Sequence, residues 1–140
     1  MGGRVRFVVI VYNGRRMKVK NSRGGSVAGT LEKAGRSVVL ICHGLGTSRN
    51  GTTSASVASA LRAAGISSCR FDFTGHGDSS GSPGDVTLSR ALDDLESVYG
   101  ELLPDTFGVF GSSFGGTVAI LFAARHPETK SVFLKSPVRD

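Results

Sequence analysis

Gly111-Ser112-Ser113-Phe114-Gly115-Gly116 is the stretch of this sequence best equipped for chemistry. It fits the pattern G-x-S-x-G with Ser113 at its centre. A serine on a tight turn between a strand and a helix is held in a strained backbone conformation, and its Oγ projects above the sheet. Gly111 and Gly115 are required because side chains there would collide across the turn. The start of the following helix adds unpaired N–H groups and the positive end of a dipole, both favourable to a developing oxyanion. The chemistry such a serine performs is attack on an acyl carbonyl. The five-residue pattern takes its meaning from placement: the apolar run TFGVF precedes it and a helical pattern follows.

Other readings of the glycine-rich turns fail on particular residues. Gly111 and Gly116 have phosphate-loop spacing, but Thr117 stands where the lysine belongs. Gly44 and Gly46 begin a dinucleotide fingerprint, but Arg49 takes the place of the third glycine and Asp72 is only loosely placed for the ribose acid. The spacings of His, Asp and Cys match no closed metal site, so neither metal nor cofactor is expected. Cys42 and Cys69 lie in apolar runs and read as buried, reduced thiols.

The elements that must position Ser113 can be read from periodicity. Arg4 to Tyr12, Arg16 to Lys20 and Ser26 to Glu32 read as strands, separated by the turns Asn13-Gly14 and Arg23-Gly24-Gly25. Ser37 to Cys42 is a continuous apolar run, as in a strand buried on both faces. A helix is predicted from about Ser54 to Ala64 with Val57, Ala58, Leu61 and Ala64 inward and Gly65 after its end. Ile66 to Phe73 is the next strand. Val86 to Leu103 reads as a helix with Leu88, Ala91, Leu92, Leu95, Val98, Tyr99 and Leu102 buried, capped by Asp85 or Thr87. Thr106 to Phe110, a helix over Phe114 to Arg125, and the strand Lys130 to Lys135 complete the chain. Strands alternating with helices imply an α/β fold, with a mostly parallel sheet flanked by helices. Chemistry in such sheets lies at the carboxyl ends of the strands. The turns at His43 to Gly46, Gly75 to Gly77 and Gly111 to Gly116 all fall there, so they are expected to meet in space.

With 140 residues the chain is sized for one domain, residues 1–140. Its mean hydropathy of +0.03 excludes a disordered chain, and no apolar run approaches the roughly 18 residues of a membrane span. No signal peptide is recognised at the start, and a cytoplasmic protein is expected, without a membrane partner. Charge is uneven. Residues 1–36 hold nine Lys and Arg against Glu32 alone, a balance of +8, whereas residues 37–140 carry −2. No nucleic-acid motif accompanies the basic segment. It reads as a β hairpin region whose cations discourage edge pairing rather than as an arm for nucleic acid.

Taken in order, ICHGLG at 41–46, RFDFTGHGDSSG at 70–81 and GSSFGG at 111–116 resemble the α/β-hydrolase family, closest to its serine-aminopeptidase-like (S33) and cinnamoyl-esterase-like members. The resemblance covers about residues 15–140. It implies Ser113 as nucleophile and an oxyanion hole from the backbone N–H groups of Leu45 and Phe114. It implies a serine hydrolase acting on carboxyl esters or related small acyl substrates. The loop holding Asp72, Gly75, His76 and Gly77 then shapes the floor of the site, and His43 and Gly44 form its other wall. Ser112 departs from the His or Gln common before the nucleophile.

The same resemblance exposes what is missing. The family's acid and histidine follow the nucleophile along the chain. This sequence stops at Asp140, so the fold is expected to be truncated after the sixth family strand, without the usual cap insertion. His126 lies about 12 residues along a helix from Ser113, some 18 Å away at ~1.5 Å per residue, too far to act as a base, and is expected to be a solvated residue at the helix end. His43 is expected to fix the oxyanion turn, and His76 to play a structural part. Asp72 and Asp78 are expected to hold the glycine loop through hydrogen bonds to backbone. Asp140 follows a strand after which some family members place their acid. Two alternatives to a competent enzyme stay open: a catalytically incomplete fragment, and one half of a split enzyme. The apolar centre of the last strand, Val132-Phe133-Leu134, points to self-association or to a complementary C-terminal fragment.

Overall fold

The computed structural model describes Gly3 and residues 14–135; the strand expected at Arg4 to Tyr12 and the position of Asp140 lie outside that range. Among the described residues, six strands form one sheet: β1 (Arg15–Lys20), β2 (Ser26–Glu32), β3 (Ser37–Cys42), β4 (Ser67–Phe71), β5 (Thr106–Ser112) and β6 (Ser131–Lys135). Their spatial order is β1-β2-β4-β3-β5-β6. β1 and β2 pair antiparallel, as do β2 and β4; β4, β3, β5 and β6 run parallel. Three helices connect the parallel strands: α1 (Thr52–Ala63), α2 (Leu88–Leu102) and α3 (Phe114–Arg125).

The continuous apolar run of β3 is explained by its central place. Leu40 and Cys42 face one layer, packed with Leu92, Leu95 and Val98 of α2 and Val118 and Phe122 of α3. Val39 and Ile41 face the other, against Ala58 of α1. Alternation along a strand sends successive side chains to opposite faces, so both must be apolar when both are covered. Among the described strands β1 is an edge, and its Arg15, Arg16, Lys18 and Lys20 are exposed. β6 is the opposite edge, and every one of its residues is exposed.

Element ends differ from the sequence reading where side chains compete for backbone. α1 begins at Thr52, and Ala64 is its exposed cap rather than part of its buried face. The fourth strand is shorter than Ile66 to Phe73, because the chain past Phe71 turns into loop contacts. α2 starts at Leu88, two residues later than expected. Thr87 is the cap, its Oγ1 accepting the Arg90 N–H at 3.1 Å. Asp85 instead closes a short 3-10 turn over Pro83–Asp85, accepting from the Ser82 N–H at 2.7 Å. Leu88 is exposed rather than buried. No described helix is long and apolar enough to cross a membrane.

Candidate active site

Ser113 stands between the end of β5 and the start of α3 with φ 55° and ψ −118°. It is one of two described non-glycine residues with positive φ. The strained backbone expected at the turn is therefore present as a positive φ, and the packing explains how it is held. A side chain at Gly111 would meet the Gly115 carbonyl, and one at Gly115 would meet the Cys42 carbonyl. The first turn of α3 is thus pressed against both its own strand and the end of β3. Gly44 approaches the same turn less tightly: a Cβ there would lie 3.3 Å from the Ser112 carbonyl oxygen and 3.5 Å from Ser113 Cβ.

The donors around Ser113 are unequally engaged. Its own N–H donates to the Lys135 carbonyl at 3.0 Å, and the N–H groups of Gly116 and Thr117 donate back to the Ser113 carbonyl. In the turn after β3, Gly46 N–H donates to His76 Nε2 at 3.0 Å, and Thr47 N–H to the Gly44 carbonyl at 3.3 Å. The N–H groups of Leu45 and Phe114 make no hydrogen bond among the described residues. A cavity of about 370 Å³ opens here, lined by His43 to Leu45, Thr47, residues 51–54, Ser112 and Ser113.

Each histidine has a defined job. His43 is 2% exposed. Its Nε2 accepts the Phe73 N–H at 3.0 Å, so Nδ1 must carry the proton it shares with the Gly44 carbonyl at 2.7 Å. Burial pushes this imidazole below its ordinary pKa. Both ring nitrogens are committed, and His43 holds no free lone pair for Ser113. His76 is likewise committed: Nε2 accepts from Gly46, leaving Nδ1 to donate to the Thr74 carbonyl at 3.3 Å. His126 lies at the far end of α3. It is not the solvated residue expected there. It is half-buried, stacked on Phe122 with ring centres 4.2 Å apart, and bonded to Glu96 and Glu128. Its ring environment opposes protonation, but the two carboxylates outweigh that and raise its pKa.

The loop after β4 is built on a buried ion pair. Asp72 is wholly buried; its Oδ1 accepts the Arg49 N–H at 2.7 Å and its Oδ2 pairs with the Arg49 guanidinium and the Asp78 N–H. Gly77 has φ +48°, and any Cβ there would run into the Asp72 carboxylate. Asp72 therefore holds the loop through backbone N–H groups, as expected. Asp78 does not: its exposed carboxylate pairs with Arg49 Nη1 at 3.0 Å instead. Gly75 N–H donates to the Ser80 carbonyl at 2.8 Å, closing the loop.

Two residues of this framework escaped the sequence reading. Arg49 counted there only as an obstacle to a dinucleotide loop, although it joins Asp72, Asp78 and Thr30. Asp94 accepts from Thr74 N–H at 2.6 Å and Thr74 Oγ1 at 3.0 Å, anchoring the loop to α2, and burial raises its pKa. Its signal was present: position 94 falls on the buried stripe between Ala91 and Leu95. Among the described residues, no three His, Cys, Asp or Glu side chains gather as metal ligands do.

Comparison with known proteins agrees with this architecture. The putative hydrolase of Agrobacterium vitis S4 is 26% identical, with a TM-score of 0.75 over 89% of this chain and 53% of its own. The Pyrococcus furiosus esterase Pf2001 shares the fold at 22% identity, with a TM-score of 0.80 over 86% of this chain and 51% of its own. XC6422 of Xanthomonas campestris, described as an a/b serine hydrolase without lid, shares it at 23% identity and a TM-score of 0.77. The protein Rv2307c of Mycobacterium tuberculosis is 33% identical over 102 residues, and the chain spans about a third of that relative's length. The family model for serine aminopeptidase, S33, matches residues 33–139. By that match the chain belongs to the S33 serine aminopeptidase family of α/β hydrolases.

Proposed function

We propose that Ser113 is the nucleophile of a serine hydrolase acting on carboxyl esters or related small acyl substrates. The observation that carries this reading is the strained φ of 55° at Ser113, held against Gly44 at the mouth of a cavity. The reading is supported by structural neighbours described as a hydrolase and as esterases. Ser113 Oγ attacks the carbonyl carbon, the O–C bond forms, and the carbonyl electron pair moves onto oxygen. The N–H groups of Leu45 and Phe114, otherwise unpaired, receive that oxyanion. Collapse breaks the bond to the alcohol, which leaves with the proton from Oγ; water then repeats the sequence on the acyl-enzyme.

The proton needs a carrier, and all three histidines of the chain are committed elsewhere. This favours a second reading for the isolated 140 residues, in which the base and its acid come from a further polypeptide segment. The β6 edge is where such a segment would add. Lys135 at the end of β6 accepts the Ser113 N–H, so a neighbour paired on β6 is delivered beside the nucleophile. A second copy of the chain is the other candidate for the same edge. A fluorophosphonate probe and an activated aryl ester test the reading together. Ser113 is expected to be labelled and Ser113→Ala not, with slow turnover, because oxyanion donors alone retain about 10³–10⁴-fold over water. Labelling that survives Ser113→Ala refutes the assignment.

A further inference from the structure

Two helix N-termini converge on the cavity beside Ser113. One belongs to α3 and begins at Ser113 itself. The other belongs to α1, whose residues 51–54 form the opposite wall. The end of α1 is left open. Its cap is Gly51, which offers no side-chain acceptor, and its first turn holds no acidic residue. The N–H groups of Thr52, Thr53 and Ser54 find no acceptor among the described residues. An open helix start of this kind favours negative charge.

Ser54 gives the independent indication. It is 3% exposed and lines the cavity, yet its hydroxyl makes no hydrogen bond among the described residues. Unlike the Ser68 hydroxyl, which is sealed in without a partner, that of Ser54 opens onto the cavity, where it can donate to an acceptor. Charge at the rim agrees. Lys135 Nζ reaches across from β6 to donate to Thr53 Oγ1 at 3.2 Å. Among the described residues no carboxylate lines the cavity, and the nearby Asp72 is neutralised by Arg49.

We infer that the α1 end of this cavity is a subsite for an anionic group, so that the preferred acyl substrates carry a carboxylate a few carbons from the carbonyl that Ser113 attacks. The part about the reacting carbonyl rests on the nucleophile reading above; the anion subsite does not. At about 370 Å³ the cavity suits a short acyl chain rather than a long one. One end of the substrate then meets Leu45 and Phe114 N–H, and the other meets Thr52 to Ser54.

Methyl hemisuccinate and methyl butyrate are the probes, one charged and one neutral at similar length. Binding is read by amide shifts of the ¹⁵N-labelled Ser113→Ala protein. Methyl hemisuccinate is expected to move the amides of Thr52, Thr53 and Ser54, and to bind at least several-fold more tightly than methyl butyrate, less so as salt rises. Ser54→Asp places a carboxylate in the subsite and is expected to weaken methyl hemisuccinate about tenfold or more. Ser54→Ala and Lys135→Met provide milder arms, each weakening it several-fold. Equal binding of the two esters, or unchanged amides at 52–54, overturns the subsite. The nucleophile is judged separately, by fluorophosphonate labelling of the wild type. Labelling lost in Ser113→Ala but without charge preference sinks the subsite alone, and charge preference with labelling that survives Ser113→Ala sinks the nucleophile alone.

Discussion

Gly46 N–H donates to His76 Nε2 at 3.0 Å, tying the turn after β3 to the loop after β4. That bond fixes the residue next to Leu45, whose own N–H stays unpaired. His76→Ala removes the tie together with the Nδ1 bond to the Thr74 carbonyl and the ring contact with His43. Stability is expected to fall by about 1–3 kcal/mol, two hydrogen bonds at about 0.5–1.5 kcal/mol each. The fluorophosphonate labelling rate of Ser113 is expected to fall too, by about tenfold or more, as an oxyanion donor loosens. Melting curves beside labelling rates check both.

His43 must stay neutral to accept from Phe73, and burial lowers its folded pKa. The unfolded chain then binds more protons than the folded one below pH ~6.5. Its contribution to stability is full above that value and declines as pH falls toward and through the lowered folded pKa. Urea unfolding between pH 7.5 and pH 5, run as a series with about half-unit steps, is expected to show the midpoint falling. His43→Gln is expected to flatten the part of that decline due to this residue.

Arg49→Met strands the buried Asp72 carboxylate and is expected to cost about 3–5 kcal/mol. Asp72→Asn leaves Arg49 paired with Asp78 and is expected to cost less. The double replacement Arg49→Met with Asp72→Leu is expected to recover part of that loss, because neither charge is then stranded. Denaturant midpoints of the three variants test the order.

Ser113 holds a backbone conformation that glycine adopts without strain. Ser113→Gly is therefore expected to stabilise the fold by about 1 kcal/mol or more while abolishing labelling. Ser113→Ala keeps the strain and is expected to abolish labelling with little change in melting temperature. Calorimetry of the pair separates the two effects.

Phe133 is 52% exposed on an edge strand, flanked by Val132 and Leu134. Self-association is expected, reported by sedimentation velocity over a concentration series. Phe133→Lys is expected to shift the distribution toward monomer, since a lysine on an edge opposes pairing.

Much of this architecture was legible because it rests on local pattern. The two-faced apolar run of β3, the stripe of α2 and the glycine spacing around Ser113 each follow from one element and its neighbours. The proximity of Gly44 to Ser113 followed from strand ends alone, since parallel strands bring their carboxyl ends to one side. Arg49 was not legible. Its partner Asp72 lies 23 residues away, and nothing local says that a loop arginine will turn inward. The cap of α2 was half legible: Asp85 and Thr87 both suit a cap, and only the 3-10 turn formed with Ser82 decides between them. His126 was misplaced because the pattern of α3 does not include its contacts with Glu96 of another helix.

The two cysteines have a practical consequence. Both are buried, and burial pushes the Cys69 thiol to about 12 and Cys42 higher still. Neither forms thiolate at neutral pH, so maleimides and iodoacetamides find no native target while the fold stands. A single cysteine introduced at an exposed position such as Leu45 or Leu103 would then be the sole labelled site, with no background to subtract. Dyes and spin labels can be placed one at a time along the mouth of the cavity, and the appearance of native thiol reactivity becomes a direct optical readout of global unfolding.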